Sequence, residues 1–231
     1  MAATDAETWL QAIKSEMDSI HMNRTWELVE LLDGKKSYPV NGFPIQICIR
    51  LRKTQVESSA HREGIQTRIQ GRLWRDILIS SQEDVALVQM DVKTTFLHGD
   101  MEEDIYMSQP AGFTAMGEDS HLVCRLKKSL YGLKQAPRMW YQKFDSYIRQ
   151  LGYHRYDSDP CMYIRQLADE FRIYMILYVD DMLIAESNQA EIGKLKWSLH
   201  DKFAMKELGQ ALHILRMRIE RNQVTKTLRL S

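Results

Sequence analysis

The chain has 231 residues, of which 44% are hydrophobic and 27% are charged, and its formal net charge is zero. This composition is typical of a globular protein with one sizeable core or two modest ones. The longest wholly apolar run, IYMILYV, is too short to span a membrane, and residues 1–30 contain no apolar segment flanked by positive charge. We therefore expect an intracellular protein, in the cytoplasm or nucleus, without a signal peptide or transmembrane segment.

The first part of the chain predicts one helix and one strand. Residues 4–20 are expected to form an amphipathic helix that opens with a capping box of Thr4 and Glu7. The apolar residues that recur there at helical spacing are Trp9, Ala12, Ile13, Met17 and Ile20. TWELVEL (25–31) alternates between polar and apolar residues and predicts a strand. Residues 38–84 show little periodicity and predict no clear element.

Regular patterns return at residue 85. VALVQMDV (85–92), LVCRLKK (122–128) and CMYIRQ (161–166) are strand candidates. A long helix is expected to begin near Pro137 because apolar residues recur at helical spacing from there to residue 151.

The last third of the chain continues this mixture. FRIYMILYV and MLIAES predict two strands joined at Asp180 and Asp181, residues 189–203 predict a second amphipathic helix, and ALHILRMRIER with TLRLS predicts a terminal hairpin. Strands and helices alternate without a regular β-α period. This order indicates an α+β fold in which helices cover one face of an antiparallel sheet.

The adjacent aspartates of YVDD lie within the most hydrophobic stretch of the chain. Burying ionised carboxylates costs several kcal/mol each unless something neutralises them. A loop without Gly or Pro is also poor turn chemistry, so a simple turn is the weaker explanation. Asp91 ends another apolar strand and could supply a third carboxylate if the two strands are neighbours. Such a cluster suits Mg²⁺, which takes oxygen ligands, and two-metal phosphoryl transfer.

The charges are unevenly distributed along the chain. Residues 121–155 contain eight Lys and Arg against one acid, Asp145, whereas residues 83–104 contain seven acids against one base, Lys93. A basic segment and an acidic segment can serve a polyanion and a cation. Two solvated faces of opposite sign are the alternative explanation.

Three blocks of the chain, QMDVKTTFLHGDMEEDIYMSQPAGF, VCRLKKSLYGLKQAPRMWYQKFD and ILYVDDMLIA, resemble the reverse transcriptase of copia-type LTR retrotransposon Gag-Pol polyproteins. The resemblance covers residues 8–37 and 85–220. It implies a right-hand polymerase palm with interleaved fingers, in which Asp91, Asp180 and Asp181 are the catalytic metal ligands. The backbone carbonyl of Val92 joins them, two Mg²⁺ ions (or Mn²⁺) are the cofactors, and template-primer and deoxynucleoside triphosphates are the partners.

The resemblance also implies roles for residues outside the acidic cluster. Phe96 matches the position that packs under the incoming sugar and excludes a 2′-hydroxyl. Gly132 and Lys134 match the nucleotide-binding block that precedes the long helix. Lys127, Lys128 and Arg138 are expected to contact nucleic acid phosphates, which makes binding salt-sensitive. Lys206 is similar to a lysine position near the triphosphate, with an ordinary exposed lysine as the favoured alternative.

Residues 38–84 depart from the family pattern, because the basic strands that hold the triphosphate are replaced by SYPVNGFPIQICIRLRKTQVESSAHREGIQTRIQ. A shifted reading frame or decay of an inactive copy would produce such a stretch. We therefore expect a fingers-like segment at 1–84, degenerate or out of frame from residue 38, and a palm at 85–231 that includes part of the fingers and the start of the thumb-proximal hairpin. Most of the thumb is expected to be missing.

Two functions remain open from the sequence. The first is an RNA-directed DNA polymerase domain with reduced or no activity. The second is a non-catalytic retrotransposon remnant that binds nucleic acid weakly.

Overall fold

The computed structural model describes residues 3–39, 86–157, 159–167, 172–186, 188–214, 217–222 and 227–230. The strands in chain order are β1 Trp26–Val29, β2 Ser37–Tyr38, β3 Ala86–Val92, β4 Tyr106–Met107, β5 Val123–Leu126, β6 His154–Tyr156, β7 Asp159–Gln166, β8 Arg172–Tyr178, β9 Asp181–Glu186, β10 Met205–Gln210, β11 His213–Ile214, β12 Met217–Asn222 and β13 Thr227–Leu230. The α-helices are α1 Ala3–Met22, α2 Ala136–Gln150 and α3 Gln189–Lys202, and 3₁₀ helices cover Thr95–His98 and Gly117–His121.

The chain divides into two compact units. The first unit consists of Met1–Glu57 and Thr94–Phe144, and the second consists of Ser58–Lys93 and Asp145–Ser231. The predicted segment 38–84 falls almost wholly outside the described residues, so its degeneracy and the domain boundary at residue 84 stay predictions.

The first unit contains a four-stranded sheet in the order β1-β5-β4-β2. β5 pairs antiparallel with both of its neighbours, while β2 pairs parallel with β4. Met17 and Ile20 are buried on α1, but Ala12, which was predicted on the same apolar face, is exposed. The predicted capping box is also wrong, because α1 begins at Ala3 and Thr4 therefore lies inside the first turn.

The second unit is built on a six-stranded sheet in the order β10-β3-β9-β8-β7-β6, in which all neighbours are antiparallel. This confirms the predicted antiparallel sheet and the predicted adjacency of β3 to the β8–β9 hairpin. One face of the sheet contributes to a buried cluster: Leu87, Met162, Ile164, Ile176, Leu183, Ala185, Ala211 and Ile219. The two central strands, β8 and β9, are apolar along most of their length, as the sequence predicts.

Helices pack in the second unit as their apolar spacing predicts. α3 contacts β9 and buries Ile192, Leu195 and Leu199. The hydroxyl of Tyr147 on α2 donates a hydrogen bond of 2.7 Å to the backbone carbonyl of Ser198 on α3. These contacts hold the C-terminal half of α2 against α3.

The predicted terminal hairpin is present as β12 and β13, which join β11 in a three-stranded sheet. Among the described residues, no helix is long and apolar enough to cross a membrane.

Candidate active site

The tip of the β8–β9 hairpin carries the two adjacent aspartates. Tyr178 and Asp181 are directly paired, so Val179 and Asp180 form a two-residue loop. Val179 has a φ of +58°, a left-handed conformation that β-branched residues rarely adopt. Two-residue hairpin loops need such a positive φ and usually place Gly, Asn or Asp there. The tip is thus locally strained, and the sheet on both sides holds it in place.

Asp91 meets this tip from the neighbouring strand. Asp91 on β3 lies directly opposite Asp181 on β9, and the backbone N–H of Val92 donates a 2.9 Å hydrogen bond to the carbonyl of Asp180. Directly opposed residues in an antiparallel pair project from the same face, with Cβ atoms about 5 Å apart. The structure therefore brings together Asp91, Asp180 and Asp181, although 89 positions separate the first two in the sequence.

Burial and mutual repulsion disfavour the charged form of these carboxyls. Burial, together with the negative charges of Asp181 and Asp91, raises the pKa of Asp180 to about 6. Burial and the charge of Asp91 also raise the pKa of Asp181. A bound cation would reverse both effects, since it favours the ionised carboxylates.

Two polar residues flank the acidic cluster on the same sheet. Gln89 lies two residues before Asp91 on β3, and its side-chain Nε2 donates to Oδ1 of Asp181 at 3.4 Å. Lys206 on β10 lies directly opposite Asp91, on the side away from Asp181, and is exposed. Gln89 is not among the predicted site residues, because it lies inside an apolar strand pattern, although a glutamine in such a run is itself a signal that a polar partner is near.

The donor set can be tested against the expected Mg²⁺. Among the described residues, no group of three or more His, Cys, Asp and Glu side chains is arranged so that it could hold a metal ion. Mg²⁺ does not need such a group, because it keeps several waters and is usually held by one or two carboxylates and substrate phosphates. The facing carboxylates of Asp91 and Asp181, with Asp180 at the tip, supply hard oxygen ligands. Ligands of this chemical type are those that Mg²⁺ and Mn²⁺ prefer.

Phe96 lies in the first unit, in the 3₁₀ helix Thr95–His98. Its ring is buried and contacts the ring of Tyr131 edge-on, with 4.9 Å between ring centroids. The hydroxyl of Ser129 donates to the backbone carbonyl of Phe96, and the backbone N–H of Ser129 donates to the carbonyl of Gly99 at 2.8 Å. Packing against Tyr131 and the hydrogen bonds around Ser129 therefore fix the position of Phe96.

The block before α2 places its predicted contact residues at the surface. Gly132 has a φ of +91°, which glycine adopts without cost. Lys134 and Arg138 are exposed, and within the described ranges neither has an ion-pair partner. These two cations are therefore available to an anionic ligand.

The other two predicted cationic contacts are less available. Lys127 forms an ion pair with Glu27, which also lies 3.8 Å from Arg125. Burial lowers the pKa of Lys128, an effect that the nearby Asp100 opposes. Lys127 and Lys128 are thus less available to an anionic ligand than Lys134 and Arg138 are.

Comparison with known proteins finds a family model and relatives that match most of the chain. The model of the reverse transcriptase (RNA-dependent DNA polymerase) family matches residues 55–231. The retrovirus-related Pol polyprotein from transposon TNT 1-94 of Nicotiana tabacum is 41% identical over 96% of this chain and 18% of that polyprotein. The Pol polyprotein from transposon RE1 of Arabidopsis thaliana is 30% identical over 97% of this chain and 16% of its own length. A putative transposon Ty5-1 protein of Saccharomyces cerevisiae is 34% identical over 58% of this chain.

The chain belongs to the reverse transcriptase (RNA-dependent DNA polymerase) family. The resemblance predicted from the three central blocks is therefore confirmed, and the relatives are Pol polyproteins of retrotransposons. The chain spans less than one fifth of the length of the plant polyproteins that it matches, 18% and 16%.

Proposed function

We propose that this chain is an RNA-directed DNA polymerase domain that performs two-metal nucleotidyl transfer to a primer 3′-hydroxyl. The observation that carries the proposal is the convergence of Asp91, Asp180 and Asp181 at one end of the six-stranded sheet. In this proposal the second unit corresponds to a polymerase palm, and the first unit contributes to the fingers.

The acidic cluster would hold the cofactor. Asp91, Asp180 and Asp181 would bind Mg²⁺ through their carboxylates, with the backbone carbonyl of Val92 as a further ligand. Two bound Mg²⁺ ions would supply an activated 3′-hydroxyl and a stabilised pyrophosphate leaving group. The raised pKa values of Asp180 and Asp181 support this role, because those carboxyls gain most from a neighbouring cation.

The first unit would bind nucleotide and nucleic acid. Phe96 would exclude the 2′-hydroxyl of a ribonucleotide, and the edge-on contact with Tyr131 would hold the ring in place. Gly132 would allow the backbone to approach the nucleotide closely. Lys134 and Arg138 would contact phosphates, since both are exposed cations.

We propose further that the activity of this chain is low, and two observations support this. The sequence of residues 38–84 departs from the basic pattern that the resemblance implies for triphosphate binding, and each lost charge-assisted contact costs on the order of 1.5–3 kcal/mol. Lys127 is engaged by Glu27, which weakens its contact with phosphates. The alternative is a non-catalytic remnant that binds nucleic acid weakly, and the pairing of Lys127 with Glu27 is consistent with weak binding.

Primer extension separates the two functions. With Mg²⁺, poly(rA)/oligo(dT) and deoxythymidine triphosphate, we expect extension several powers of ten below that of an intact reverse transcriptase, and no extension by Asp180→Asn. Salt-sensitive binding of the template-primer should persist in both proteins. Detectable extension that is equal in the wild type and Asp180→Asn would contradict the assigned site, whereas no extension by either protein would favour the non-catalytic remnant. Absence of binding at low salt would contradict both functions.

A further inference from the structure

Gln89 is not one of the proposed metal ligands, but its side chain contacts one of them, Asp181. It lies two residues before Asp91, on the same face of β3, and is half-buried. Its Nε2 lies 3.4 Å from Oδ1 of Asp181, so the amide reaches diagonally across to β9. We propose that Gln89 is a positioning residue that orients the Asp181 carboxylate for binding a divalent cation. This inference rests on the proposed function and assigns a role to a residue outside the acidic cluster.

The location of Gln89 argues against a packing role. Its direct partner on β9 is Leu183, and Leu87 is its next neighbour on the same face of β3. Both leucines are buried in the apolar cluster. An apolar side chain would suit this position better, because an amide beside a hydrophobic cluster must find a hydrogen-bond partner. Asp181 provides that partner.

The carboxylate of Asp181 needs a group that fixes its orientation beside Asp91. Asp91 and Asp181 are direct cross-strand partners, and like charges in that relation repel each other. Without a restraint, the Asp181 carboxylate would rotate away from Asp91, because its terminal torsion has only weak preferences. The amide of Gln89 holds one oxygen of Asp181 and leaves the other oxygen for a cation. Its donor group is neutral, so it adds no charge that would compete with the ion.

Mn²⁺ binding measures this role without requiring polymerase activity. We expect Gln89→Met to weaken Mn²⁺ binding, measured by water-proton relaxation enhancement on the full chain, by about tenfold. Gln89→Leu, which also lacks the donor, should weaken it similarly. Gln166→Met is the matched control: Gln166 lies in the same sheet, exposed on β7, where its side chain accepts a 2.8 Å hydrogen bond from Arg172. That variant should bind Mn²⁺ as the wild type does.

The outcomes separate the inference from the proposed function. Wild-type affinity in both Gln89 variants, with binding lost in Asp180→Asn, would overturn the role of Gln89 and leave the metal site standing. Equal Mn²⁺ binding by the wild type and Asp180→Asn would overturn the metal site and the inference together. Gln89 variants with a changed unfolding midpoint but unchanged Mn²⁺ affinity would show a packing role and would also overturn the inference.

Discussion

Replacing Asp180 with asparagine should stabilise the metal-free protein at neutral pH. Burial and the charges of Asp181 and Asp91 raise the pKa of Asp180 from 3.8 to about 6, so the folded state binds this proton more tightly than the unfolded state does. The protonated carboxyl therefore favours folding at low pH. That contribution is lost as the pH rises from about 4 through about 6. Asparagine keeps the shape of the side chain and never acquires the charge.

The pKa difference sets the size of the effect. Each pH unit between the unfolded and folded pKa values corresponds to about 1.4 kcal/mol, which makes about 3 kcal/mol the ceiling. Asp180 is only half-buried, so water screens part of the penalty, and we expect a gain of about 1–2 kcal/mol at pH 7.5. At pH 4 the two proteins should have nearly the same free energy of unfolding.

Urea denaturation at pH 4 and pH 7.5, without divalent metal, tests this reasoning. Asp157→Asn, the same substitution at an exposed position after β6 in the same sheet, is the control and should change little at either pH. Adding Mg²⁺ at pH 7.5 should stabilise the wild type more than Asp180→Asn, because only the wild type keeps the full ligand set. An Asp180→Asn gain that is absent at pH 7.5, or equally large at pH 4, would refute the argument from burial and repulsion.

Three other substitutions have defined outcomes. Val179→Gly should raise the free energy of unfolding by about 1 kcal/mol in urea denaturation, because glycine adopts the φ of +58° without strain, and a decrease would mean that valine packing outweighs the strain. Gly99→Ala should lower the thermal midpoint, by an amount that corresponds to a loss of about 1–3 kcal/mol in the free energy of unfolding, because the new Cβ would lie 2.9 Å from the backbone nitrogen of Trp140. Gly193→Ala in α3, where the space is open, should not lower it. Glu27→Gln should release Lys127 from its ion pair. Fluorescence anisotropy with a single-stranded oligonucleotide should then show tighter binding, and the slope of log K against log salt concentration should be steeper by about one. Unchanged binding would show that Lys127 does not contact nucleic acid.

The elements that carry the acidic cluster could be predicted because their sequence patterns are strong. β3, β8 and β9 are largely apolar: Asp91 is the penultimate residue of β3, Asp180 follows two residues after β8, and Asp181 begins β9. α2 and α3 repeat apolar residues at helical spacing. An ionised group at the end of a buried strand needs a compensating partner, and one shared cation can compensate two such groups only if their strands are neighbours. The register of Asp91 with Asp181 follows the same logic, since a slip by one residue would move each apolar side chain to the other face.

β10 could not be predicted from its own residues. Its sequence MKELGQ is mostly charged or polar and exposed, and Gly209, with a φ of +80°, lies where the pairing with β3 shifts. Such a strand forms because β3 offers an open row of backbone hydrogen-bonding groups, which is a tertiary effect. The position of Lys206 opposite Asp91 follows from this pairing and therefore had no signal in the local sequence pattern.

Three features of the β8–β9 hairpin tip oppose local stability. Val179 occupies a conformation suited to glycine, Asp180 is a carboxyl whose burial favours the neutral form, and Asp181 faces a like charge on Asp91. Changes at the first two positions are predicted to stabilise the fold, so folding alone does not explain why these residues are present. Local rules are most often broken at functional sites, where a ligand supplies what the protein lacks. A divalent cation at this tip would neutralise the carboxylates and convert their repulsion into binding energy, which accounts for the charge but leaves the strain at Val179 to be borne by the sheet.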